Sequence, residues 1–325
     1  MNVERALAAA MVAAALGAAW VEAGSPLAAS ARSGRPWPVW IEARERGGSG
    51  ASTFHLGVYD PAARRLSVIH VPGDLKLEKR RTLERGWLDA LKASGDPDAA
   101  ARAAEDLAEA RLRELSPEPL PTAATRLTVE VAPLGAEDEP ALDAALALKA
   151  RGRRPRAWLA LARRAARGLR AGDRAAADPL LFALELRRAP VENLEPARLP
   201  DDAQAPALLG RVLRAEPRAD DGRATTAEVL NRAGAPGLAS RAAKMLRLKG
   251  VDVLTTGSAG PRARTLIYDR VGDFRRAASA RAALGCPGAR AVTRVDPSRV
   301  VDVSVELGAD CAAAFGAGDS REPQP

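Results

Sequence analysis

Only two histidines and two cysteines occur among the 325 residues, so nucleophile–base chemistry has few possible players. Both histidines fall on alternating runs, STFHLGVYD and LSVIHVP, joined by the turn-forming DPAARR. A turn centred between Ala62 and Ala63 puts Phe54, Leu56 and Val58 on one face with Val71, Ile69 and Ser67, the face expected to be buried. The same register sets His55 opposite His70. Two imidazoles could begin a metal site, but no third or fourth ligand lies nearby, and a polar cross-strand pair is the reading taken. With both histidines on one hairpin, a Ser-His or Cys-His pair would need an unusual fold, and no nucleophile constellation stands out.

The cysteines read as structure. If DPSR turns a final hairpin between Pro297 and Ser298, the position facing Cys286 is about 309, two residues from Cys311. A bond there would close a loop of ~25 residues and contribute roughly 3 kcal/mol in an oxidising compartment. Two buried free thiols are the other reading. The loop NRAGAPG, opening a helix at Gly237, offers free N–H groups to an anion. Its glycine spacing is not a dinucleotide fingerprint, and a tight turn with Gly234 at positive φ accounts for it.

The elements that would position these groups are mostly helical up to about residue 213. Thr82–Ala93 is amphipathic, with Leu83, Trp87 and Leu91 in register. Asp96 then caps a helix with Pro97 at its first position, running to Leu115. RLTVEVA (126–132) is a strand, and 140–150, 155–171 and 178–188 are helical. RAEPRADDGRA (214–224) is polar and aperiodic, a domain boundary. Beyond it come strand 226–231, helix 237–250, strands 251–256 and 264–270, a helix from Asp273 through Leu284, and strands 289–295 and 300–307. The expected class is α/β: an N-terminal mixed α/β domain with an early β-hairpin and several helices, then a small β-α-β-β-α-β-β two-layer sandwich.

Composition fits small helical cores. Apolar residues make up 47%, but 73 of them are alanine and aromatics are only 3%. The net charge of +8 comes from 43 arginines and six lysines against 41 acids. The basic residues read as scattered among acids without interleaved aromatics, so nucleic acid is not expected as a partner. At the N-terminus, Arg5 precedes the uncharged run ALAAAMVAAALGAAWV, residues 6–21. As a helix it would span ~24 Å against ~30 Å of hydrocarbon, the size of a signal-peptide core. Val21-Glu22-Ala23 suits cleavage before Gly24, whereas Trp20, Trp37 and Trp40 suit a membrane interface. Cleaved signal and retained anchor both place the rest of the chain outside the cytosol. The layout expected is a signal peptide or anchor at 1–24, linker at 25–50, a domain at 51–213, linker at 214–224, a second domain at 225–311 and a flexible tail at 312–325.

The second domain resembles the C-terminal domain of the LytR-CpsA-Psr family of bacterial cell-envelope proteins. EVLNRAGAPGLASRAAKMLRLKGVDV, TLIYD and VDVSVELGAD carry the likeness; Asn231, Gly234, Gly237, Leu238 and Ala239 fit the family's first turn, and Leu307, Gly308 and Asp310 its end. The resemblance implies an extracytoplasmic domain, often accessory to a catalytic one. Residues 50 to 200 resemble a degenerate form of that catalytic domain. Val71-Pro72-Gly73-Asp74 stands where the family has Ser-Ile-Pro-Arg-Asp, with Gly73 in place of the arginine that meets a polyprenyl-linked pyrophosphate. LKARGRRPRAW supplies Arg151, Arg153, Arg154 and Arg156 without the family's Asp-Gly-Arg pattern.

The resemblance therefore implies a site in which Asp74 holds a metal, magnesium if the protein is catalytic, and Arg80, Arg81, Arg151 or Arg154 meets phosphate. Asp74, Arg151 and Arg154 are the catalytic candidates, and Cys286 and Cys311 the structural ones. Loss of the motif arginine favours a non-catalytic binding or scaffolding protein, with cell-wall polymer or polyprenyl pyrophosphate lipid as partner and membrane contact through the N-terminal helix if uncleaved. A phosphoglycosyl transferase is the other reading.

Overall fold

The computed structural model describes residues 24–47, 52–77, 81–120, 125–135, 138–151, 155–214 and 222–316. The apolar run at 6–21 lies outside the described residues. No helix among the described residues is long and apolar enough to cross a membrane.

The described residues form ten strands: β1 (Trp37–Glu45), β2 (Ser52–Asp60), β3 (Arg65–Val71), β4 (Thr125–Val131), β5 (Leu194–Arg198), β6 (Thr226–Asn231), β7 (Asp252–Ser258), β8 (Leu266–Asp269), β9 (Arg290–Thr293) and β10 (Val303–Leu307). They form one sheet in the order β4-β1-β2-β3-β5-β9-β8-β10-β6-β7. The helices are α1 (Pro26–Ser33), α2 (Leu83–Ser94), α3 (Pro97–Leu115), α4 (Pro140–Arg151), α5 (Pro155–Arg170), α6 (Asp178–Arg188), α7 (Ala205–Arg214), α8 (Leu238–Leu248), α9 (Phe274–Leu284) and α10 (Ala309–Gly316). The chain is thus mixed α/β, with the early hairpin in place and His55 facing His70.

Both faces of the N-terminal half are covered, where one was expected. Phe54, Leu56, Val58, Ile69 and Val71 pack with Leu83, α3 and α7. Tyr59, Leu66 and Val68 on the other face pack with α4 and α6. The reason is that β2 and β3 are interior strands: β1 flanks one and β5 the other. Alanines 101, 104 and 108, buried along α3, let that helix lie close to the sheet. Asp96 Oδ1 accepts from the Asp98 N–H at its start, with Pro97 at N1.

The segment expected as a linker, 25–50, instead supplies α1 and β1. Trp37, Val39, Trp40 and Ile41 are buried, and β1 pairs antiparallel with β2 and parallel with β4. Its Pro-, Gly- and Ser-rich flanks mask a strand core. The tail expected from 312 is helical as far as Gly316, in α10.

In the C-terminal half, β6-α8-β7-β8-α9-β9-β10 follows the expected order, and α8 and α9 share a core with β6, β7, β8, β9 and β10. The pairing differs from a final hairpin. β10 lies between β8 and β6, antiparallel to the first and parallel to the second, while β9 pairs parallel with β8. Asp296 Oδ1 accepts from Ser298 N and Oγ, so the DPSR turn does form, but it leads the chain past β8 rather than back along β9. Cys286 and Cys311 are nonetheless bonded, their Cα atoms 5.7 Å apart. They meet because Cys286 follows α9 and Cys311 lies in α10, not through cross-strand register.

The halves are continuous in the sheet. β5 and β9 share a single bridge, Ala197 to Thr293. Leu142 of α4 packs with Leu266, Tyr268 and Val292, so α4 spans both halves. Arg264 Nη1 donates to Asp143 Oδ1 at 2.8 Å.

Candidate functional site: a polar cleft where the halves meet

β3, β5, β9 and β8 run parallel, so their C-terminal ends lie along one edge of the sheet. Open α/β sheets hold ligands at that edge. Register places His70 beside Arg198, and Arg198 and Arg294 each directly follow the bridging pair Ala197 and Thr293. Side chains alternate along strands, so His70, Arg198 and Arg294 point to the α4 face, in a row across three strands. A polar cleft of about 350 Å³ opens there. Asp74, Asp138, Glu139 and Arg262 complete its charged lining.

These charges are unequally engaged. Tyr268 Oη donates to Glu139 Oε1 at 2.9 Å, and Arg262 Nη1 donates to Tyr268 Oη at 2.7 Å. Arg262 also pairs with Glu306 at 3.0 Å, and Arg294 with Glu139 at 3.5 Å. The Tyr268 ring underlies the Arg270 guanidinium, 4.6 Å from its centroid. Burial, followed by the charge of Glu139, raises the Tyr268 hydroxyl well above its ordinary value. Arg198, by contrast, is exposed and has no carboxylate within ion-pairing distance among the described residues. It is the guanidinium left available to an incoming anion.

His70 and His55 are held neutral. Burial, then the Arg198 charge, lowers His70 to about 4, with Asp74 opposing. Burial, then His70, lowers His55 well below its ordinary value. Their ring centroids lie 5.1 Å apart, and Thr53 Oγ1 is 3.0 Å from His55 Nε2.

Of the residues singled out from sequence, the cleft brings together His70, Pro72, Gly73 and Asp74. Arg151 is elsewhere: it donates to the Thr128 carbonyl and lines an apolar slot with Leu127, Trp158, Leu161 and Phe182. That slot encloses about 20 Å³, room for roughly one water. Arg80, Arg153 and Arg154 lie outside the described residues, Arg156 opens α5, and Arg81 faces Asp89 at 3.8 Å. Sequence reasoning missed Arg198, Arg262, Arg294, Asp138 and Glu139. Arg198 and Arg294 both sit at strand ends, the one local signal that could have marked them.

Among the described residues, Cys286, Asp310 and Cys311 form the single grouping of three possible metal-ligand atoms within 4.8 Å. Its sulfurs are bonded to each other, and Asp310 Oδ1 accepts from Thr265 N and Oγ1.

The motif residues of the second half act structurally. Asn231 Oδ1 accepts from Ala233 N while its Nδ2 donates to the Ala235 carbonyl, and Gly234 and Gly237 take φ of 71° and 69°. Asp269 accepts from the N–H groups of Val271 and Asp273 at the start of α9 and from Thr293 Oγ1. No curated protein and no solved structure matches the chain. Residues 224–310, about a quarter of it, match the family model described as LytR cell envelope-related transcriptional attenuator. The turn, the Tyr268-Asp269 strand and the closing Gly308-Asp310 just described all fall within that match to a LytR C-terminal domain, whose description is cell envelope-related.

Proposed function

We propose that this is an exported cell-envelope protein that works as a non-catalytic binding or scaffolding module, holding a phosphate- or carboxylate-bearing wall polymer in the junction cleft. The single observation that carries this reading is Arg198, a guanidinium with no carboxylate within ion-pairing distance among the described residues, facing about 350 Å³ of polar space. Arg294 and Arg262, already partnered, add positive field around it. The Cys286–Cys311 bond suits an oxidising compartment, and the apolar run 6–21 suits export by signal peptide or anchor.

Binding is favoured over transfer on two physical grounds. A general base works best with a pKa near the working pH, and His70, at about 4, is a weak one. The apolar slot beside Arg151, at about 20 Å³, is too small for a prenyl chain as it stands. The transferase reading rests on Asp74. A magnesium ion would have Asp74 and Asp138 as carboxylate donors there, since Glu139 is taken up by Tyr268 and Arg294. Bound, it would neutralise phosphate charge.

The test uses inorganic pyrophosphate as a probe of the cleft. The unmodified chain is expected to bind it and gain thermal stability, and Arg198→Ala to lose at least ten-fold in affinity. Equal binding by both proteins would overturn the assignment. Incubation with magnesium and a polyprenyl pyrophosphate separates the two functions: phosphate release abolished by Asp74→Ala would establish the transferase instead.

A further inference from the structure

The chain's excess positive charge is concentrated rather than scattered. Residues 144–172 contain nine Lys and Arg and no Asp or Glu, one more positive charge than the +8 of the entire chain. Two of these cations are used internally: Lys149 Nζ donates to the Leu186 and Arg187 carbonyls, and Arg151 to that of Thr128. Those of α5 from Arg163 onward point outward. Arg163, Arg164, Arg167 and Arg170 are exposed and make no ion pair among the described residues. At ~100° per residue, Arg163, Arg167 and Arg170 fall within about 60° of one another. Leu159, 52% exposed, sits beside them, while Leu161 and Ala165 on the opposite side are buried.

Helix α5 is peripheral. It packs on α6 and on the short 3-10 turn Arg174–Ala177, where Gly168 leaves no room for a Cβ against Ala176. The same α6 receives the start of the described chain: Ser25 Oγ donates to Asp178 Oδ1 at 2.5 Å, and α1 packs alongside. The described chain therefore begins next to the helix that carries α5.

From this placement we infer that α5 is a membrane-surface helix, its arginine face docking on anionic phospholipid headgroups beside the point where the described chain begins. Since the apolar side of α5 packs on the protein, its attraction to a bilayer is that of a basic patch for anionic headgroups, with Leu159 as an apolar point of contact. Nucleic acid is the less suitable partner, because the aromatic of α5, Trp158, lines the slot beneath the helix and is not on the arginine face. The surface is separate from the junction cleft, so failure of either proposal leaves the other standing.

The experiment is co-sedimentation of the full chain with vesicles of phosphatidylcholine alone and of phosphatidylcholine with phosphatidylglycerol. Hydrophobic binding by residues 6–21 contributes to both, so the ratio of the two partition coefficients isolates the charge. Each basic residue at an anionic surface strengthens partition roughly five-fold. Arg163→Gln, Arg164→Gln, Arg167→Gln and Arg170→Gln together are expected to lower the ratio about 100-fold or more, with circular dichroism unchanged. The same charge removed at the exposed Arg85, Arg102, Arg187 and Arg275 is expected to lower it less than ten-fold. An unchanged ratio in the α5 variant, or equal loss in both variants, would overturn the proposal. So would loss of binding to a soluble polyanion such as duplex DNA with vesicle binding intact.

Discussion

Gly308→Ala tests the physical account of the closing motif. A Cβ at position 308 would stand 2.4 Å from the Arg264 carbonyl carbon, 2.6 Å from its oxygen and 2.8 Å from Thr265 N, all backbone atoms. Ordinary contact begins near 3.4 Å, so the entry to β8 and the exit of β10 must part by about 1 Å. Three hydrogen bonds span that gap: Gly308 N to Thr265 Oγ1 at 2.9 Å, and Thr265 N and Oγ1 to Asp310 Oδ1 at 2.8 and 2.6 Å. Overpacking costs about 1–3 kcal/mol, and loosening bonds to a carboxylate adds about 1.5–3. The expected loss is therefore about 2.5–6 kcal/mol, centred near 4. Urea unfolding followed by circular dichroism should show it as a midpoint lowered by about 2 M, for a slope near 2 kcal/mol/M. Gly260→Ala is the control, because its Cβ would meet only the flexible end of Arg232 at 3.8 Å. A loss below about 1 kcal/mol, or one no larger than the control's, would refute the close-approach argument.

Other outcomes follow from the same geometry. Removing the Cys286–Cys311 bond opens a loop of 25 residues and should cost about 3.5 kcal/mol, seen equally in the Cys286→Ser/Cys311→Ser protein and in the unmodified protein under dithiothreitol; identical stability before and after reduction would contradict it. Tyr268→Phe deprives buried Glu139 of a donor and should cost about 1–3 kcal/mol, with a double-mutant cycle against Glu139→Gln giving coupling above about 0.5 kcal/mol; simple additivity would mean the contact is idle. Gly73→Arg is accommodated, since its Cβ would lie 3.4 Å from Glu84 Cβ, and should tighten pyrophosphate binding without changing the melting temperature by more than ~2 °C. His70 is neutral when folded but protonates near 6.5 when unfolded, so the unfolded state binds more protons in between; the stability it contributes is lost as pH falls from about 6.5 to about 4. His70→Gln should flatten the stability–pH curve over that window by up to about 3 kcal/mol, and an unaltered slope would show that the imidazole is not held neutral.

Local signals carried far in this chain. The turn chemistry of DPAARR and the alternation on either side set the β2–β3 register, and with it the His55–His70 pair, residue by residue. Amphipathic spacing marked α2, and Asp96 with Pro97 marked α3, near their observed ends. Where the reading failed, a long-range partner was the cause. Trp37–Glu45 looks like linker because Pro, Gly and Ser surround it, yet β2 on one side and β4 on the other bury it. ARAVTRV and VVDVSVEL look like a hairpin because DPSR lies between them, yet β8 takes the place between the strands.

The same division holds for function. Sequence alone determined the order of elements in the C-terminal half, the LytR C-terminal match at 224–310, the retained Asp74 with Gly73 beside it, and the acid-free basic stretch at 144–172. Tertiary structure decided that Arg198 and Arg294, nearly a hundred residues apart, stand side by side over His70, and that Arg151 is turned away from them. The physical reason is that parallel neighbours such as β5 and β9 are joined by no turn. Their pairing is chosen by which faces become buried under α4, and that selection leaves no trace in the residues on either side.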